Sequence, residues 1–335
     1  MTEPTYIPLR LHTEFSITDG MVRIKKLIAK AQEYSLPALG ISDLMNEFGL
    51  VKFYKACRSA GIKPVGAADV WIGNPNAPDK PFRAMLIIRN DAGYLRLSEL
   101  LTAAYVGKDR NVHHAELNPE WLENGDNSGL ICLSGAHYGE VGVNLLNGNE
   151  DAARAAALKY AAWFPDAFYL ELQRLPERPE WEACVSGSVK LAEELGLPVV
   201  ATHPTQFMSR DDFNAHEARV CIAGGWVLTD KKRPRDFTPS QFFIPPETML
   251  ERFADLPEAL ENTVEIAKRC NIHITLGKNF LPLFPTPDGL SLDDYLVKLS
   301  NEGLQERMVQ LYPDEAERAA KMPEYQERLD FELNI

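Results

Sequence analysis

The chain has 335 residues, with 45% apolar and aromatic residues, 25% charged residues and a formal net charge of −13. This composition excludes long disordered stretches and supports a real core, and the length fits one large domain plus an appendage. The acidic balance argues against a main grip on nucleic acid, which draws on a positive face. The five cysteines are widely spaced and odd in number, with no C-x-x-C pair, and so read as reduced thiols of a cytoplasmic protein. No apolar run reaches the roughly 18 residues of a membrane span, and Met1-Thr2-Glu3-Pro4-Thr5 carries no export signal, so no membrane contact is expected.

Short apolar runs separated by longer periodic stretches follow one another along the chain. The runs are Pro8–His12, Ala38–Asp43, Pro64–Asp69, Ala84–Ile88, Leu130–Ser134, Ala167–Leu172 and Pro198–His203. They are too short for helices and read as buried parallel strands, which predicts an α/β fold of seven units. In a closed barrel the polar groups at strand ends converge on one face, so His12, Asp43, Asp69 and His203 are candidate neighbours for metal or acid/base chemistry.

Between the runs, a helix is predicted over Val22 to Ala31, with Asp19 either its cap or a site residue. Helices are also predicted over Leu50 to Ala60, closed by Gly61, and over Tyr94 to Val106, Asp151 to Phe164 and Trp181 to Gly196. Gly73 to Pro81 reads as an exposed hairpin or loop, since its prolines and asparagines exclude a central strand. His113 and His114, with no acidic partner at useful spacing, read as solvent-facing, and Lys231-Lys232-Arg233-Pro234-Arg235 as solvated surface. Pro245 to Cys270 is helical and divided at Pro257, and Leu281 to Pro287 is extended because its prolines exclude helix. Leu290 to Ile335 is charged and helical with no visible end, which predicts a piece of a longer chain.

Several ordered stretches carry a resemblance that spans essentially the whole chain. They include Leu9-Arg10-Leu11-His12-Thr13-Glu14-Phe15-Ser16, Gly61-Ile62-Lys63-Pro64-Val65-Gly66-Ala67-Ala68-Asp69, Ala215-His216-Glu217-Ala218-Arg219 and Phe280-Leu281-Pro282-Leu283-Phe284-Pro285. On these the chain resembles the amino-terminal part of bacterial DNA polymerase III alpha subunits. That resemblance implies a polymerase and histidinol phosphatase (PHP) domain over 1–280, a seven-unit (β/α) barrel. A linker over 281–289 and the truncated start of the polymerase palm over 290–335, a mainly helical extension, would follow.

Metal-binding members of that family use about nine His, Asp, Glu and Cys ligands. Carried over one at a time, the family's ligand positions fall on Arg10, His12, Asp19, Leu44, Asp69, Arg83, Ala136, Pro204 and Gln206, so only His12, Asp19 and Asp69 survive. Three ligands are too few for a multinuclear hydrolytic site. The expectation is a degenerate, metal-free cleft with no catalytic residue, in which Arg10 and Arg83 replace the metals and pair with Asp19, Asp43 and Asp69. A shifted ligand set using His137 and His203 is the counter-reading. The resemblance further implies docking of the proofreading exonuclease (epsilon) subunit. DNA and other replisome subunits, and Mg for polymerisation, would belong to the intact chain. The rivals are a residual metal-dependent phosphatase or pyrophosphatase, and a phosphate or DNA-backbone binding module using Arg10 and Arg83.

Overall fold

A computed structural model describes residues 4–279 and 281–335. Met1 to Glu3 and Phe280, the first residue of the Phe280–Pro285 stretch, lie outside the described residues. The chain divides into two compact units, 1–274 and 275–335.

The first unit is built on a curled sheet of six strands among the described residues, in the order β1 (Ala38–Leu44), β2 (Lys63–Ile72), β3 (Phe82–Ile88), β4 (Leu130–Leu133), β5 (Phe168–Leu172) and β6 (Val199–Ala201). Around it lie helices α1 (Ile24–Glu33), α2 (Leu50–Ser59), α3 (Asp91–Val106), α4 (Pro119–Glu123), α5 (Glu140–Leu146), α6 (Glu150–Trp163), α7 (Glu182–Leu195), α8 (Phe213–Gly224), α9 (Pro246–Arg252) and α10 (Pro257–Arg269). The helix stripes point inward: α1 buries Ile24, Leu27, Ile28 and Ala31 at i, i+3, i+4 and i+7, and α10 buries Ala259, Leu260, Thr263, Val264, Ile266 and Ala267.

Two expectations change here. The run Pro8–His12 is extended chain rather than a strand. It nevertheless bonds on both sides: the Gly40 and Ser42 amides donate to Pro8 and Leu11 carbonyls, while the His12 amide donates to the Thr205 carbonyl just beyond β6. In addition, the sheet is not wholly parallel, because β3 runs antiparallel to both β2 and β4. For β2 and β3 the helix-free connection over 73–81 is the reason: parallel neighbours require a crossover of a dozen or more residues, and a loop this short can only turn the chain back.

Close packing of backbone is visible where α3 meets β4. A Cβ on Gly93 would stand 1.8 Å from the Gly129 carbonyl oxygen, so only glycine fits. Of the sequence-predicted helix ends, Gly61 and Gly196 adopt positive φ after α2 and α7. Asp19 is not the cap of α1, whose first turn follows Arg23 without a side-chain cap.

The second unit contains α11 (Leu292–Leu311), capped by the Ser291 hydroxyl, and α12 (Glu315–Leu333), capped by Asp314. No helix of the described residues is long and apolar enough to cross a membrane.

Candidate functional site

The site forms where the extended run 8–12, β2, β3 and β5 present alternate residues to one side. Leu9 and Leu11 are fully buried, and Arg10 and His12 take the opposite side of the same extended backbone. Antiparallel pairing sets Asp69 opposite Met85 and Trp71 opposite Arg83. Asp69 and Arg83 are therefore diagonal neighbours on one face.

Asp69, with no exposed surface, is the hub. Its Oδ2 accepts hydrogen bonds from Arg10 Nη1, from Arg83 Nη2 and from His12 Nε2 at 3.0 Å. The other ring nitrogen of His12, Nδ1, lies 2.9 Å from Asp19 Oδ1. Arg10 also forks onto Glu171, Nε to Oε1 at 2.7 Å and Nη2 to Oε2 at 2.9 Å. The Glu171 carboxylate further accepts from the Thr202 hydroxyl, the Gln173 amide and the Gly135 backbone N–H. Arg83 stacks on the Trp71 ring with its guanidinium carbon 4.4 Å from the centroid. Two arginines and one histidine thus face three carboxylates in a nearly dry cluster.

For Asp69, His12 and Asp19, burial opposes the charge and the partners reverse it. Burial alone would raise the Asp69 carboxyl, but Arg10, Arg83 and His12 hold it far below the usual range. Burial would lower His12, but Asp19 and Asp69 raise it to about 9. Asp19 is lowered overall in spite of its own burial, chiefly by His12 and then Arg83. His12 is accordingly an imidazolium at neutral pH.

Asp43 corrects an expectation, because it pairs with neither arginine. Its carboxylate accepts from the Thr13 N–H at 2.6 Å, the Thr13 hydroxyl at 2.8 and 2.9 Å and the Ser16 hydroxyl at 2.7 Å, tying down the turn Glu14–Ser16. Those neutral donors satisfy it without a cation, and burial still raises its pKa. His203 is a second correction. It is buried but faces away from the cluster: Nε2–H donates to the Phe242 carbonyl at 2.9 Å, and Nδ1 accepts from Arg252 at 3.3 Å.

A cavity of about 320 Å³ lies above the cluster, lined by Arg10, Asp19, Asp69 and Arg83 and also by Leu44, Pro204 and Gln206. Ala136 is buried at φ 48° in the turn beside it. His137 lines the cavity with its ring stacked on Trp181, centroids 3.5 Å apart. Burial, with Arg10 and Arg83 behind it, pushes His137 down to about 3, so it stays neutral. Elsewhere, His114 is exposed but not partnerless as expected: its Nε2 lies 2.8 Å from Glu116.

The donor set does not fit a metal ion. His12 has a carboxylate at each ring nitrogen, Asp19 on Nδ1 and Asp69 on Nε2. Asp69 is already surrounded by three cations that would repel a fourth. Among the described residues, no three His, Cys, Asp or Glu side chains stand where they could hold a metal together.

Glu171 is the site residue that sequence reading missed. Its signal was present: a carboxylate inside the otherwise apolar β5, Phe168-Tyr169-Leu170-Glu171-Leu172, which a buried strand tolerates only with a partner.

Residues 8–175 match the PHP domain family, and the chain belongs to it. Over all 335 residues it is 98% identical to the DNA polymerase III subunit alpha of Neisseria meningitidis serogroup A. It is 45% identical over 335 residues to the subunit of the same name from Escherichia coli strain K12. The chain spans 29% and 28% of the lengths of these two relatives. An amidohydrolase structure from Chromobacterium violaceum matches 64% of this chain and 96% of its own at 11% identity and a TM-score of 0.34, a likeness too slight to carry an argument.

Proposed function

We propose that this chain is the PHP portion of a replicative DNA polymerase catalytic subunit, serving as a scaffold and as a docking platform for the separate proofreading exonuclease (epsilon) subunit. Its cleft is held by ion pairs where related domains hold metals. The observation that carries this reading is the closed network on Asp69 Oδ2, in which Arg10, Arg83 and His12 supply the positive charge. In this reading the PHP domain covers 1–280, with 8–12 as the first unit of a seven-unit barrel. A linker over 281–289 leads to the start of the palm region over 290–335. The whole cytoplasmic subunit would be a DNA-directed DNA polymerase, meeting DNA and other replisome subunits through the remainder of the chain and using Mg there.

Two rival readings meet specific obstacles. A residual phosphatase or pyrophosphatase needs a metal at His12, Asp19 and Asp69, and both nitrogens of His12 are engaged. A phosphate or DNA-backbone module needs Arg10 and Arg83 free, and both point at carboxylates.

The test pairs elemental analysis of the purified chain with assays of phosphate release from pyrophosphate and from a nitrophenyl phosphate ester, using Asp69→Asn as control. The expected result is substoichiometric metal, no release above buffer and a stable complex with the purified exonuclease subunit. Stoichiometric metal with an activity lost in Asp69→Asn makes the domain a hydrolase and refutes the scaffold reading.

A further inference from the structure

The basic stretch singled out in the sequence follows an exposed apolar run of the first unit. All seven residues from Ile222 to Leu228 are exposed, and among them Ile222 is 83%, Trp226 40%, Val227 66% and Leu228 46% accessible. A run of this length held in water is a liability unless something covers it.

The run is also held rigidly. Helix α8 ends in a Schellman-type turn, with Gly225 at φ 69°, the Gly225 amide donating to the Ile222 carbonyl and the Trp226 amide donating to the Cys221 carbonyl. Beyond it, Arg233 turns inward and pairs with Glu217 at 2.5 Å, both side chains only 6% exposed. The same guanidinium donates from Nε to the Leu228 carbonyl at 3.2 Å, and the Asp230 amide donates to the Val227 carbonyl at 2.9 Å. Burying an ion pair costs desolvation that an apolar pair would not. Here the pair fixes the loop so that its apolar side chains face outward, and fixing a surface before binding lowers the entropy lost on association.

Charge selects the occupant. Lys231, Lys232 and Arg235 are exposed, and among the described residues no carboxylate lies within ion-pair distance of them. On a chain of net charge −13 these three cations, bracketed in sequence by Asp230 and Asp236, form a basic segment beside the apolar run. We infer that Ile222–Arg235 is a preformed docking surface for an acidic protein segment carrying apolar anchor side chains, which would sit on Ile222, Trp226, Val227 and Leu228 while its carboxylates meet the three cations. A nucleic acid strand would satisfy the cations but leave the aliphatic groups without partners. A second copy in a two-fold contact would set like charges against each other. Naming the exonuclease subunit as the protein that supplies this segment rests on the docking reading above.

The experiment measures affinity of the purified exonuclease subunit for the 335-residue chain and for two variants, Val227→Ser/Leu228→Ser and Lys231→Glu/Lys232→Glu/Arg235→Glu. All are side-chain changes at exposed positions, and far-ultraviolet circular dichroism checks that each variant is folded. Each variant is expected to lose about tenfold or more in affinity. The salt dependence seen with the original chain is expected to flatten in the charge-reversal variant. Equal binding by all three chains overturns this surface while leaving the docking reading intact. No binding even by the original chain refutes the docking reading itself. Sedimentation showing a dimer that the variants abolish, or a labelled single-stranded oligonucleotide that binds the original chain and not the variants while exonuclease binding is unchanged, would assign the face to a second copy or to nucleic acid and overturn the proposal.

Discussion

Replacing Arg10 by Met keeps a long, unbranched side chain and removes the guanidinium that joins two buried carboxylates. Glu171 loses its bidentate partner at 2.7 and 2.9 Å, and Asp69 loses one of three cations. The losses are unequal. Asp69 keeps Arg83 and His12, whereas Glu171 keeps only the neutral donors of Thr202, Gln173 and Gly135, in a residue 1% exposed. Stranding a buried charge in this way costs about 3–5 kcal/mol. Against a typical domain stability of about 5–15 kcal/mol that is about a fifth of the total or more, and it lowers the melting temperature by roughly 6–20 °C. All five tryptophans, Trp71, Trp121, Trp163, Trp181 and Trp226, belong to the first unit, so urea unfolding followed by tryptophan fluorescence reads this unit alone. In the double variant Arg10→Met/Glu171→Gln a neutral amide replaces the stranded carboxylate, so the loss is expected to be smaller than the sum of the single losses by about 1–3 kcal/mol. An Arg10→Met chain with an unchanged urea midpoint would refute the ion-pair account of the cleft.

Other consequences concern pH and nearby groups. His12 is raised to about 9 because Asp19 and Asp69 outweigh its burial, so its contribution is complete below about pH 6.5 and lost as pH rises through 9, on the order of 3 kcal/mol. Stability measured from pH 7 to 9.5 should therefore fall in the original chain and stay flatter in His12→Asn. His137 is lowered to about 3, so the unfolded chain takes up a proton first and stability drops as pH falls from about 6.5 toward 3. His137→Phe, which keeps a ring against Trp181, should reduce that acid slope in urea titrations, and an unchanged slope would locate it elsewhere. Glu47 is raised to about 7 by burial, with the Ser98 hydroxyl bond opposing, so its contribution is present below about pH 4.5 and lost as pH rises through 7. At pH 8, Glu47→Gln is expected to gain about 1–2 kcal/mol in chemical denaturation.

Local chemistry in the chain determined much of this protein. The α2 and α7 terminators Gly61 and Gly196, the division of a helical stretch at Pro257 and the apolar runs behind β1 to β6 could all be read directly, because capping, backbone restriction and burial period act over a few residues. Arg10 and Arg83 also stood out as cations where a metal site would have none. The tertiary structure decided the partners. Asp43 and Asp69 both lie in strands whose runs end in aspartate, yet one meets hydroxyls and a backbone amide while the other meets three cations. His12 and His203 are both buried, yet one is charged between two carboxylates and the other neutral between a carbonyl and Arg252. Glu171 could be recognised as costly but not as the partner of Arg10, 161 residues away. Sequence spacing carries no record of which distant side chains share an enclosed volume. Strand direction and register set that, and the antiparallel insertion of β3 brings Arg83 to Asp69.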